Sequence, residues 1–105
     1  MIGPGRAELM ERIKATGSIS AAGRAMGMSY RRAWTLVDTL NASFQTPLIE
    51  SVRGGAGGGG ARLTETGHRV LDHYRRIEAA TLSAGGADIA AIRSLLRAGD
   101  MSGGK

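Results

Sequence analysis

The sequence predicts a mainly α-helical domain that carries one small β-hairpin. Three observations lead there. Apolar residues recur at one-turn spacing through most of the chain, which is the pattern of amphipathic helices. Two short strand-like runs, "LIESV" and "ARL", flank a glycine-rich tract, "RGGAGGGGAR", from Arg53 to Arg62. Glycine and serine stand at the points where one helical pattern stops and the next starts.

The elements follow in order. Residues Arg6 to Ala15 bring Leu9, Met10 and Ile13 onto one face of a short helix that Gly17 stops. Ser18 or Ser20 then caps a second helix whose inner stripe is Ile19, Ala22, Gly23 and Met26. Glycine inside a helix costs roughly 1 kcal/mol relative to alanine. Gly23 on the buried stripe therefore makes sense where another helix crosses closely. Gly27 ends the second helix, Met28 points back to the core, and Ser29 caps a third.

That third helix, "YRRAWTLVDTLNASF", carries Ala33, Val37, Leu40 and Phe44 on one face, while Arg31, Arg32, Thr35, Asp38 and Thr39 fall away from it. Pro47 marks its end. The two strands follow, around a tip longer than the usual loop of about two to five residues. Thr64 caps a long helix with Val70, Leu71, Tyr74, Ile77 and Leu82 along a stripe, broken by Gly85 and Gly86. A last helical pattern holds Ile89, Ile92, Leu95 and Leu96, and "GDMSGGK" reads as a frayed tail. The expected organisation is one domain over residues 1–84, then a short helix and tail over residues 85–105.

Composition narrows the function. The chain has 105 residues, which suits one domain, and 14 basic against 9 acidic side chains give a net charge of +5. That balance favours a polyanionic partner or an anionic surface. Cysteine is absent, which excludes disulfides, thiolate metal sites and a cysteine nucleophile. No apolar run reaches the roughly 18 residues of a membrane span, and the start lacks a secretory signal. A cytoplasmic protein is expected, with no membrane partner. His68 and His73 are five positions apart and share no helix face well, so no metal site is expected. The glycine tract lacks the Gly-Lys-Ser/Thr ending of an NTPase phosphate loop and precedes a strand rather than a helix. No catalytic constellation stands out, so neither an enzyme nor a cofactor is expected.

A short helix joined through a glycine turn to a longer helix, followed by a hairpin, predicts a winged helix-turn-helix with a long dimerisation helix after it. In such a motif the second helix of the pair enters the DNA major groove N-terminus first. Here that end reads "SYRRAWT". The planar fork of arginine can pair with guanine or clamp phosphate. Ser29, Tyr30, Arg31, Arg32 and Thr35 are thus candidate contacts to double-stranded DNA, joined by Ser18 and Ser20 at the start of the second helix. The wing adds Arg53 and Arg62 at its base and Gly55, Gly57 and Gly58 at its tip, where missing side chains let backbone N–H groups approach phosphate. Each has a plainer alternative. The tract could be a linker, the arginine pair could solvate an exposed face, the serines are first of all caps, and Tyr30 and Trp34 could form a half-buried rim.

The stretch "GSISAAGRAMGMSYRRAWTLVDTLNASFQTPLIESVRGGAGGGGARLTETG" resembles the N-terminal DNA-binding domain of the ModE molybdate-responsive transcription regulators, and more broadly the winged helix-turn-helix of LysR-type regulators. The resemblance runs from Gly17 to Gly67, and its most specific parts are "SISAA", "MSYRRAW", the glycine tract and "LTETG". It implies a transcription regulator that binds a pseudo-palindromic operator as a homodimer, in molybdate-related gene control. It also implies that the long helix pairs with its twin, through Val70, Leu71, Tyr74 and Ile77. ModE regulators carry molybdate-binding domains after this part and the sequence ends before one could form, so molybdate is not expected to bind this chain. The rival reading is a winged-helix protein-interaction module without DNA specificity. The charged third helix weighs against it, because protein-binding faces more often present apolar anchors.

Overall fold

Two glycines set the path of the first half of the chain. Gly17 and Gly27 both adopt φ of +72°, the left-handed conformation that a side chain disfavours. A computed structural model of the protein describes residues 2–53 and 60–97. Helix α1 (Pro4–Thr16) ends where the Gly17 N–H donates to the Ile13 carbonyl at 2.8 Å. Helix α2 (Ile19–Ala25) starts at once, capped by Ser18, whose hydroxyl oxygen accepts from the Ala21 N–H at 3.0 Å. Gly27 turns the chain again, and Ser29 caps α3 (Tyr30–Ser43) by accepting from the Arg32 N–H at 3.1 Å. Both cap positions follow the sequence expectation, with Ser18 chosen over Ser20.

The crossing of α2 and α3 is as close as Gly23 predicts. A Cβ placed on Gly23 would lie 2.8 Å from the Ala33 Cβ. Around this contact sits a single core of Ala7, Leu9, Met10, Ile13, Ile19, Ala22, Ala33, Val37 and Leu40, closed by residues of the hairpin and Leu71.

The hairpin is β1 (Ile49–Val52) and β2 (Gly60–Leu63), antiparallel, in a register running from Ile49 opposite Leu63 to Val52 opposite Gly60. Its base is held at two points. The Asn41 side chain on α3 accepts from the Leu48 and Ile49 N–H groups at 2.9 and 3.1 Å and donates to the Ile49 carbonyl at 3.0 Å. The Ala61 N–H donates to the Gly17 carbonyl at 2.9 Å, and a Cβ on Gly60 would come within 2.7 Å of that same oxygen. The wing is thus hydrogen-bonded directly to the turn that precedes α2.

Thr64 closes the hairpin and opens α4 (Glu65–Ala84). Its hydroxyl donates to the Pro47 carbonyl at 2.7 Å and accepts from the Gly67 N–H at 2.9 Å. Gly67 lies against the Leu48 carbonyl, where a Cβ would collide. After the break at Gly85 comes α5 (Gly86–Ser94), none of whose residues is buried. The chain divides into two compact units, one ending at Tyr74 and one starting at Arg75. This division falls inside α4 rather than at the break after residue 84. The first half of the helix is tied to the core by Gly67, Leu71 and Tyr74. No residue from 75 to 97 is buried.

The crossing can be tested. Gly23→Ala should gain up to about 1 kcal/mol of helix propensity but force apart two helices in contact, which typically costs about 1–3 kcal/mol. A net loss of stability in urea unfolding is expected. A more stable variant would mean that α2 and α3 are not packed this closely.

Candidate nucleic-acid interface

The start of α3 presents its side chains in two directions, because successive helix positions are about 100° apart. Arg31 shares an open groove with Tyr30, Trp34, Thr35 and Asp38. Arg32 lies on another side, with Arg6, Met26, Met28 and Leu36. Both arginines are exposed, and neither has an ion-pair partner among the described residues. The sequence pairs them; the helix separates them. The Thr35 hydroxyl donates to the Arg31 carbonyl at 3.0 Å, so the oxygen of this exposed residue keeps its lone pairs as acceptors.

The second gathering point is a cleft of about 310 Å³ between the start of α2, the start of α3 and the hairpin. Ser18, Ser20, Tyr30 and Ser51 contribute its side-chain polar groups, and Trp34 lines it as well. Tyr30 is 63% exposed and meets Trp34 edge-on, with ring centroids 6.3 Å apart and planes at 70°. Ser20 accepts from the Arg24 Nη1 at 3.1 Å. Of the expected residues, Ser18, Ser20 and Tyr30 come together here, while Ser29 sits exposed at the α3 cap.

The wing differs from its sequence reading in one respect. Arg62 is not a free charge: its Nε donates to the Glu50 carboxylate at 2.9 Å, directly across the hairpin. Arg53 is exposed at the end of β1. The expected tip contacts Gly55, Gly57 and Gly58 lie outside the described residues.

Three residues escaped the sequence reading as contacts: Ser51, Asp38 and Arg24. Arg24 had a signal, standing one helical turn after Ser20. Trp34, read from the sequence with Tyr30 either as a stack on bases or sugars or as a half-buried rim, is half-buried. Nothing in the sequence marks Ser51, which joins the cleft only through the hairpin register.

The stripe on α4 also needs correction. Leu71 is 1% exposed and packed in the domain's own core, so it has no surface to offer a second chain. Val70 and Tyr74 are half-buried against that core, and of the four residues expected to pair only Ile77, 63% exposed, is open. A sequence stripe cannot say where a helix leaves its own core. Among the described residues no cluster of three or more histidine or acidic side chains could hold a metal ion, and no helix is long and apolar enough to cross a membrane.

A short helix, a left-handed glycine turn, a longer helix with an exposed basic start and an antiparallel hairpin tied back to the turn before the short helix define a winged helix-turn-helix domain. The chain belongs to the lysR family of bacterial regulatory helix-turn-helix proteins, which it matches over residues 6–68. It is 41% identical over 83 residues to the molybdenum-pterin-binding protein MopA of Rhodobacter capsulatus, covering 79% of this chain and 31% of that one. It is 39% identical over 71 residues to the DNA-binding transcriptional dual regulator ModE of Escherichia coli K12, covering 68% of this chain and 27% of the regulator. The chain thus spans about three-tenths of the length of these relatives. The fold is that of the CbnR DBD in its DNA complex, with a TM-score of 0.66 at 23% identity over 87% of this chain and 99% of the other.

The Glu50–Arg62 pair gives a prediction. Exposed ion pairs hold about 0.2–1 kcal/mol, so Glu50→Gln should leave stability almost unchanged while releasing Arg62. Affinity for a DNA duplex, read by fluorescence anisotropy, should then rise by up to about fivefold. Equal or weaker binding would show that Arg62 does not contribute charge to the interface.

Proposed function

We propose that this protein is a sequence-specific DNA-binding transcription regulator that acts as a homodimer in the cytoplasm, with α3 in the major groove and the wing on the flanking backbone. The observation that carries this reading is the exposed start of α3, with Arg31 free of any acidic partner among the described residues and beside a cleft that the hairpin walls. Arg31 and Thr35 face base edges. Arg32, Ser18, Ser20, Ser29 and Arg53 hold phosphates, which position without specifying. Tyr30 packs on the sugar–phosphate surface, Arg62 joins when it leaves Glu50, and the tip glycines Gly55, Gly57 and Gly58 offer backbone N–H groups.

Two copies place their α3 helices in successive major grooves, about one helical turn apart on a pseudo-palindrome. The dimer contact on α4 is centred on the exposed Ile77. The names of the ModE relatives support control of molybdenum-related genes. The reading gives molybdate no seat on this chain.

Titration of promoter-derived duplexes at several salt concentrations tests the reading. Log affinity should fall with log salt at a slope near −0.9 for each phosphate neutralised. Binding that is absent, or equal on every duplex and indifferent to salt, would point instead to a protein-interaction module. Arg31→Ala should cost about 1–3 kcal/mol on the preferred duplex and relax its sequence preference. Removing the α4 contact should separate the copies: Ile77→Glu is expected to sediment as a monomer and to lose the advantage of two half-sites over one. A dimer unchanged by this substitution would place the interface elsewhere.

A further inference from the structure

One polar group at the interface is idle in the free protein. The Trp34 indole Nε1–H has neither a hydrogen-bond partner nor solvent exposure. An indole N–H can only donate, so its one polar function awaits an acceptor. Trp34 walls both the cleft beside the hairpin and the groove along α3, and Tyr30 lines the same two depressions. Tyr30 is the first residue of its helix, is largely exposed and leans edge-on toward the indole. Its ring borders the indole in both depressions.

The rest of the cleft tells what it would accept. The Ser18 and Ser20 oxygens each accept a bond from a neighbour within α2 and its cap, which leaves each hydroxyl hydrogen available to donate. Ser51 adds a third hydroxyl, and among the described residues no carboxylate lines the space. Neutral donors thus converge where no acidic group competes. The fitting ligand is rich in acceptors and carries no donors, as a phosphodiester oxygen pair does.

We propose that Trp34 is a DNA-binding residue: its indole N–H donates to a backbone phosphate seated in the cleft with Ser18, Ser20 and Ser51, once Tyr30 has moved aside. This rests on the DNA-binding reading given above. The contact is sequence-independent and carries no charge, which sets it apart from the arginines. Removing an arginine–phosphate contact lowers the salt slope by about one, whereas removing a neutral donor lowers affinity at constant slope.

The test uses the full chain and a short random-sequence duplex. Trp34→Phe, and a variant with benzothienylalanine at position 34, both lack the N–H; the second also keeps the size and shape of tryptophan. Affinity should fall about tenfold in both, as loss of a hydrogen bond to a charged acceptor implies, with the salt slope and Tm unchanged. Wild-type affinity in the benzothienylalanine variant overturns the proposal, even if Trp34→Phe binds poorly through altered packing. A changed salt slope also overturns it, since the lost contact would then involve charge. Failure of the unmodified protein to bind any duplex would instead remove the DNA-binding reading itself.

Discussion

The carbonyl of Gly17 is the point on which the interface depends. Gly17 ends α1 in a left-handed conformation, and its oxygen then accepts the Ala61 N–H of β2 at 2.9 Å. The same oxygen leaves no room for a Cβ on Gly60. One peptide unit therefore sets where α2 begins and where the hairpin docks. The cleft lies between these two elements, so its width follows from a backbone hydrogen bond and from two glycines that allow it. On the opposite side the Asn41 amide holds the start of β1 to α3 by three hydrogen bonds. Wing, α2 and α3 are thereby fixed to one another by backbone groups, and the functional side chains are mounted on a frame that does not depend on their own identity.

Charge alone does not locate the interface. A surplus of five positive charges spread over a small domain would attract polyanions from every side. Some of these charges are already partnered, and among the described residues those at the start of α3 are not. Arg62 is held by Glu50, Arg12 by Glu8 and Arg75 by Glu78, all as exposed pairs. Arg31 and Arg32 have no such partner among the described residues, and Asp38 sits two turns along α3 on the Arg31 side, too far along the helix to neutralise it directly. A carboxylate on that groove repels phosphate, so it weakens indiscriminate binding while leaving hydrogen-bond recognition of a base edge intact.

Much of the frame was legible because local chemistry dictates it. Gly17 and Gly27 stop helices, Ser29 and Thr64 start them, and Gly23 announces a close crossing; each has a mechanism confined to a few neighbouring residues. The interface was less legible because its geometry is set over distance. Glu50 meets Arg62 only once the hairpin register is known, and a tract of glycines does not fix a register. The adjacent arginines read as one feature in sequence but turn to different sides of α3. An idle indole N–H has no sequence signature at all, since a tryptophan one turn after a tyrosine looks the same whether its nitrogen is bonded or not.

The α4 stripe shows how far periodicity carries. From Val70 to Ile77 the pattern is continuous, yet Leu71 is spent inside the domain and Ile77 is open. Beyond Tyr74 the described chain buries no residue, while Ile77, Leu82, Ile92, Leu95 and Leu96 are each at least 44% exposed. Fully burying one such side chain is worth about 1.5–3 kcal/mol, and the described residues after Tyr74, none of them buried, have little to offset the entropy of ordering them. Their order must come from apolar surface supplied by something else. A second copy supplies such surface by symmetry, because an isologous contact matches each exposed residue with the same patch on its twin. In the homodimer proposed above, the pairing of two copies and the ordering of the segment after Tyr74 would be one event.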